Sequence, residues 1–285
     1  MHLAHIINPV NVPPESPFAF AQQVTFESMR AAQRFAAPES RVDLYTAQYP
    51  EEHPILPQGF TPTPDLTRSI LDLGRFEPPR KLPLLADILA RLYRASEAEY
   101  FIYTNADIGL TPHFYRYVTA CIAQGYDAFT INRRTIPARY TALDELPAMY
   151  ADLGEPHRGW DCFVFRRDVV PRFDLGTICL GAPLVGLVML ANLLANARRF
   201  RQVTRAHLTF HLGNDRRWSA ARQSAYARHN QAEALRILRS LESALNGFPP
   251  GSPPARYLRW QRTPWRAWLY RQRMRIHIPA RFTRK

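Results

Sequence analysis

The order of apolar runs and helical stripes along the chain outlines an α/β protein. His2 to Asn8 is a short apolar run and predicts a buried first strand. Ser16-Pro17 supplies an N-cap followed by proline in the first turn, and the helix predicted through about Phe35 carries Phe20, Val24 and Met29. Arg41 to Tyr49 predicts a second strand around Val42-Asp43-Leu44-Tyr45. Pro50 to Pro64 has no period and predicts a proline-rich loop, followed by a short helix over Asp65 to Leu73. Arg80-Lys81-Leu82-Pro83 predicts a helix start, with Leu84, Leu85, Ile88, Leu89 and Leu92 as its apolar stripe.

The central strand is Tyr100 to Leu110, an aromatic and β-branched run that passes into Asn105 and Asp107 at a turn closed near Gly109. Thr111-Pro112 opens a helix over 112–124 that ends at Gly125, and Asp127 to Asn132 predicts the next strand. Arg133 to Pro156 is a polar excursion with a helical turn near Asp144. Gly159-Trp160-Asp161 leads into a strand over Cys162 to Phe165. Leu175 to Ala197 carries no charge, but Gly181, Pro183, Gly186, Asn192 and Asn196 argue for a buried loop and helix over a membrane span. Val203 to Leu212 is strand-like, and a polar helix follows from about Arg217 to Leu245. Strand, helix and strand alternate around the central turn, so one Rossmann-like, mixed, mostly parallel sheet flanked by helices is expected.

Charge changes the picture at one end only. The net charge is +13, yet Ser243 to Lys285 holds ten Arg or Lys and no acid, leaving +3 for the rest. The high pI is therefore no argument for nucleic-acid binding by the whole chain. Gly247 to Pro254 reads as a linker (247–254), and 255–285 as a basic tail rich in tryptophan and tyrosine. Arginines flanking Tyr257, Trp260, Trp265, Trp268 and Tyr270 suit an anionic membrane surface, with RNA as the weaker alternative. Cys121, Cys162 and Cys179 lack paired metal spacing and lie in apolar surroundings, as buried thiols of a reducing compartment. No basic segment precedes an apolar run at the start, so a cytoplasmic protein is expected, peripheral on the membrane through its tail.

Ligands of open α/β sheets bind beyond the carboxyl ends of the strands. A carboxylate at Asp107, with the side-chain carbonyl of Asn105 beside it, offers hard oxygen ligands to Mg²⁺ or Mn²⁺. The same residues would also serve as a simple Asx-turn. His207 and His211 would share one face of a strand, so spacing alone does not choose between them as an imidazole donor. Asp161 is a candidate general base, with Asp152 and Glu155 as alternatives on the preceding segment. Arg80 and Lys81 at a helix start suit an anionic ligand, and Trp160 offers an aromatic face for stacking.

Together these segments resemble the A-type fold of nucleotide-sugar glycosyltransferases, over about residues 2–215. Ile6-Ile7-Asn8-Pro9-Val10-Asn11 looks like the opening strand and turn that hold the nucleotide base, which implies donor contacts at Pro9 and Asn11. Tyr100 to Leu110 resembles the strand and metal motif, usually two aspartates around one residue; here the first is Asn105. Gly159 to Phe165 is similar to the acceptor-side segment, and His211 falls where many members place a late histidine that completes the metal site. The resemblance implies a catalytic domain over 1–246, a nucleotide-sugar donor and a glycan or lipid-linked acceptor. A sugar nucleotidyltransferase is the alternative on the same fold, but Asn11 to Pro17 has three prolines and no glycine where a glycine-rich phosphate loop is needed. A degenerate binding protein is the other alternative, kept open by Asn105.

Overall fold

A computed structural model describes residues 1–213 and 224–262. Its centre is a seven-stranded sheet. In chain order the strands are β1 (His2–Ile7), β2 (Arg41–Thr46), β3 (Thr61–Pro62), β4 (Tyr100–Thr104), β6 (Ala128–Ile131), β9 (Cys162–Arg166) and β10 (Phe200–Val203). They lie in the order β10-β6-β9-β4-β1-β2-β3. All neighbours are parallel except β9, which runs against both β4 and β6.

Alternation within the strands sorts the core into two layers. Phe101 and Tyr103 of β4, with Phe163 and Phe165 of β9, face α2 (Leu85–Ala95), α5 (Val185–Asn196), α6 (Ala225–Ala244) and α7 (Pro253–Arg262). Their neighbours Ile102 and Val164 face α1 (Pro17–Ala36) and α3 (Phe114–Ala123). Phe101 is fully buried, and its truncation to alanine would cost about 3–5 kcal/mol. β1 also holds a polar side chain inside: His5 meets Tyr115 Oη at 2.8 Å and Thr104 Oγ1 at 2.9 Å. Burial pushes His5 down to about 3, so it is neutral.

The segment from Arg133 to Pro156 forms more structure than a polar excursion. β7 (Arg134–Ile136) and β8 (Glu155–Pro156), with α4 (Leu146–Ala151) between them, join β5 (Gly109–Leu110) and β11 (Thr209–Leu212) in a second sheet, β5-β11-β7-β8. The single strand expected over Val203 to Leu212 is two strands, β10 in the main sheet and β11 in the second.

Other boundaries move for local reasons. Asp65 to Leu73 yields only a 3₁₀ turn at Ile70–Leu73, and another fills Pro50–Ile55 in the expected loop. The helix expected from Arg80 starts at Leu85, because Leu84 pairs with Cys179 and the Leu85 N–H bonds to Ile178. The helix expected from Arg217 is described from Ala225, since 214–223 lie outside the described residues. α5 follows the uncharged Leu175 stretch as a buried helix, and among the described residues no helix is long and apolar enough to cross a membrane.

α7 begins inside the stretch read as a linker. It packs on α5 and α6, with Tyr257 and Leu258 in the core. Tyr257 therefore does not join Trp260 on an open membrane-facing stripe. The rest of the basic tail, 263–285, with Trp265, Trp268 and Tyr270, lies outside the described residues. The three cysteines are buried and free.

Candidate active site

β1 and β4 are parallel neighbours, so their carboxyl ends emerge side by side. A cavity of about 330 Å³ opens there. One wall is the loop after β1. Asn8 Nδ2 donates to Ala47 O at 2.7 Å, and Gln22 of α1 clamps Val10 from both sides, accepting from its N–H at 2.7 Å and donating to its carbonyl at 2.8 Å. Asn8, Val10 and Val12 line the cavity. Pro9 is buried within the loop and Asn11 points to solvent, so neither predicted donor contact is a lining residue. Ser16 caps α1 by accepting from the Phe18 N–H, and both residues border the cavity. Pro17 has no N–H and the Ala19 N–H bonds to Ser16 O at 2.9 Å, so the start of α1 offers this wall the positive end of its dipole and not free amides.

Arg80 and Lys81 line the opposite wall, ahead of a helix rather than at its start. The Tyr226 hydroxyl fixes this segment, accepting from the Arg80 N–H at 2.6 Å and donating to Pro78 O at 2.8 Å. Lys81 pairs with Glu51 at 2.6 Å and lies 4.0 Å over the Tyr49 ring. Glu52 is a lining residue to which no pattern in the chain points. Its carboxylate accepts from the Tyr49 N–H at 2.8 Å, and burial pushes it up to about 7.

The end of β4 carries Asn105 and Asp107. Asn105 Oδ1 accepts from the Tyr103 hydroxyl at 3.1 Å, and the Ile108 N–H closes the turn on Asn105 O. Asp107 is carried next to β5, which pairs with β11 through Gly109↔Phe210. Gly109 is required by that approach and not by a turn: a Cβ there would lie 2.4 Å from the Phe210 ring. The pairing brings His211 to Asp107, Nε2 to Oδ2 at 3.2 Å. His207 precedes β11, and its Nε2 is buried without a partner among the described residues. The structure thus brings His211, and not His207, to Asp107.

His211 Nδ1 lies 2.9 Å from Gly213 O. A carbonyl only accepts, so Nδ1 carries the proton. Nε2 then either donates to Asp107 as an imidazolium or gives its lone pair to a cation between the two. Burial alone would raise the Asp107 carboxyl, but His211 and the charge of Arg133 more than offset it and hold it below the usual carboxylate range. Asp107 Oδ1 is buried without a partner among the described residues, which also hold no cluster of three or more metal-ligating side chains. One orphaned carboxylate oxygen, one imidazole lone pair and the Asn105 carbonyl fit a divalent ion whose other ligands come from a bound diphosphate and water.

Asp161 stands just ahead of β9, which pairs Cys162 with Thr104 of β4. Its Oδ2 is 3.2 Å from Arg133 Nη1 and 3.7 Å from His157 Nδ1. That His157 nitrogen accepts from the Gly159 N–H at 3.0 Å, so its lone pair is occupied. Burial first, and then Arg133, push His157 down. Arg133 is therefore the cation that faces Asp161. Trp160 packs against the core, and its carbonyl comes so close to Gly186 of α5 that a Cβ there would lie 2.6 Å away. Its Nε1 has no partner among the described residues. Of the alternative bases, Asp152 is held by the Tyr140 hydroxyl and Arg139, and Glu155 is exposed in β8.

No protein-family model matches the chain, and no curated protein matches it. Among solved structures, S. aureus TarS 1-349 in complex with UDP-GlcNAc matches with a TM-score of 0.53 and 11% identity, over 85% of this chain and 67% of that one. M. tuberculosis glucosyl-3-phosphoglycerate synthase matches with a TM-score of 0.44 and 15% identity, over 87% of this chain and 82% of that one. The same enzyme with Mn²⁺, UDP and phosphoglyceric acid matches at 0.45 and 15%, over 87% and 80%. The strand order and the first of these likenesses give this protein the A-type fold of nucleotide-sugar glycosyltransferases.

Proposed function

We propose that the protein transfers a sugar from a nucleotide-sugar donor to a hydroxyl group of a glycan or lipid-linked acceptor. The observation that carries this reading is the Asp107–His211 pair at the carboxyl end of β4, on the edge of the 330 Å³ cavity. The UDP-GlcNAc bound to S. aureus TarS supports a nucleotide-sugar as the donor class.

In this reading the nucleoside lies against Asn8, Val10 and Val12, and the diphosphate lies between the start of α1 and Arg80 and Lys81. Asp107 and His211 would hold Mn²⁺ or Mg²⁺, with Asn105 contributing its carbonyl or a hydrogen bond to the donor. When bound, the ion supplies Lewis-acid stabilisation of the departing diphosphate. Asp161 takes the proton of the acceptor hydroxyl as that oxygen bonds to the anomeric carbon. The bond from this carbon to the diphosphate oxygen breaks, and its electron pair leaves with the nucleoside diphosphate. Trp160 lies beside Asp161 to support the acceptor ring.

Thermal-shift titration with UDP, GDP, ADP, CDP and TDP, with and without Mn²⁺, tests the reading. Stabilisation by one of them, enhanced by Mn²⁺ and lost in Asp107→Ala, is the expected result. No stabilisation by any nucleotide would reject it. Binding without hydrolysis or transfer of the matching nucleotide-sugar would identify a binding protein instead.

A further inference from the structure

We infer that Arg133 is the positioning residue for Asp161, holding the proton-accepting carboxylate in place through a buried ion pair. The inference rests on the proposed transfer reaction and adds a residue to it. Arg133 follows β6, and its main chain is fixed on both flanks: the Asn132 N–H bonds to Val203 O at 2.8 Å, and the His157 N–H bonds to Arg133 O at 3.0 Å. Asn132 Nδ2 adds a bond to His157 O at 3.1 Å. The guanidinium therefore projects from an anchored point. Its side chain is 11% exposed and that of Asp161 is 14% exposed.

Stability alone does not account for such a pair. Desolvating two ions offsets most of their attraction, and two apolar side chains of equal volume would fill the space as well. Its location accounts for it better. The charged and titratable groups that face Asp161 among the described residues are Arg133 after β6, His157 from the loop before β9, Tyr103 on β4 and Cys162 next in sequence. His157 has its lone pair committed to Gly159, and burial keeps the Tyr103 hydroxyl and Cys162 thiol protonated. Arg133 is then the fixed charge that can aim this carboxylate. Arg133 Nε and Asp161 Oδ2 are both without a hydrogen-bond partner among the described residues, so the two side chains meet as a charge contact, Nη1 to Oδ2 at 3.2 Å. A guanidinium keeps its charge at any working pH. It can orient Asp161 without competing for the transferred proton.

The test follows hydrolysis of the matching nucleotide-sugar, which needs no identified acceptor. Arg133→Gln should lower kcat about 10- to 100-fold while donor KM changes by less than about threefold. Arg133→Lys should recover part of kcat, and guanidinium ion at non-denaturing concentration should recover part of it in Arg133→Ala. In Asp161→Asn the further change to Arg133→Gln should add nothing, because the two act as a unit. Unchanged kcat in folded Arg133→Gln, full additivity with Asp161→Asn, or a loss confined to donor KM would each overturn the assignment. The last would place Arg133 on the diphosphate. If the wild-type protein neither binds nor hydrolyses any nucleotide-sugar, the transfer reading falls and takes this assignment with it, whereas a wild-type enzyme indifferent to Arg133→Gln refutes the assignment alone.

Discussion

Two carboxylates stand at the same end of the main sheet, and their partners differ. Asp107 faces an imidazole at 3.2 Å, and Asp161 faces a guanidinium at 3.2 Å. An imidazole can exchange its proton for a cation, whereas a guanidinium keeps its charge and its place. Equal distances therefore prepare unequal chemistry. In the proposed reaction the Asp107 pair would open toward an incoming ion, and the Asp161 pair would hold an oxygen still.

The largest expected effect breaks the first pair. Asp107→Ala should reduce turnover by about a thousandfold or more while circular dichroism and melting temperature stay near wild type. Near-wild-type turnover in that folded variant would remove the site assignment. Asp161→Asn should lose about 10²- to 10³-fold in kcat with donor affinity retained. An equal loss of donor affinity would move Asp161 to the nucleotide side.

A third carboxylate sharpens the contrast, because no ion pair among the described residues holds Glu52. Its folded-state value near 7 lies above the ordinary 4.5, so the folded protein prefers the neutral acid. Stability is then lost as pH rises from about 4.5 through 7, by on the order of 3 kcal/mol. Glu52→Gln should match wild type near pH 5 and melt several degrees higher at pH 8. Parallel melting curves across that range would show that Glu52 is solvated.

Smaller effects grade the Asp107 pair itself. His211→Ala should weaken Mn²⁺ binding about tenfold or more in calorimetry with a nucleoside diphosphate present. Asn105→Asp should tighten it by about severalfold, through one added negative charge. Absence of ion binding in every variant and in wild type would leave Arg80 and Lys81 to neutralise the leaving group.

The main sheet was legible because its strands are continuous apolar runs. Ile102 and Tyr103 belong to opposite layers, yet both are apolar, as a strand covered on both faces requires. The second sheet was not legible. β5 and β8 are two residues long, too short for any period to register. The helix expected at Arg80 failed because a proline is tolerated in a first turn, but the main chain there is committed to Tyr226, far along the sequence. Asp107 and Asn105 were visible at a strand end. Arg133, His157 and Glu52 were not, because their roles come from neighbours that only the folded chain supplies.

The contact of Phe210 over Gly109 has a consequence for how the site is tuned. The gap between Asp107 and His211 is set by backbone pairing one or two residues away, before any ligand arrives. Neither side chain needs to search for the other, so the two share a focus built into this antiparallel pairing. A single methyl group at 109 would act as a wedge in that pairing, and would defocus the carboxylate and the imidazole while leaving both chemically intact.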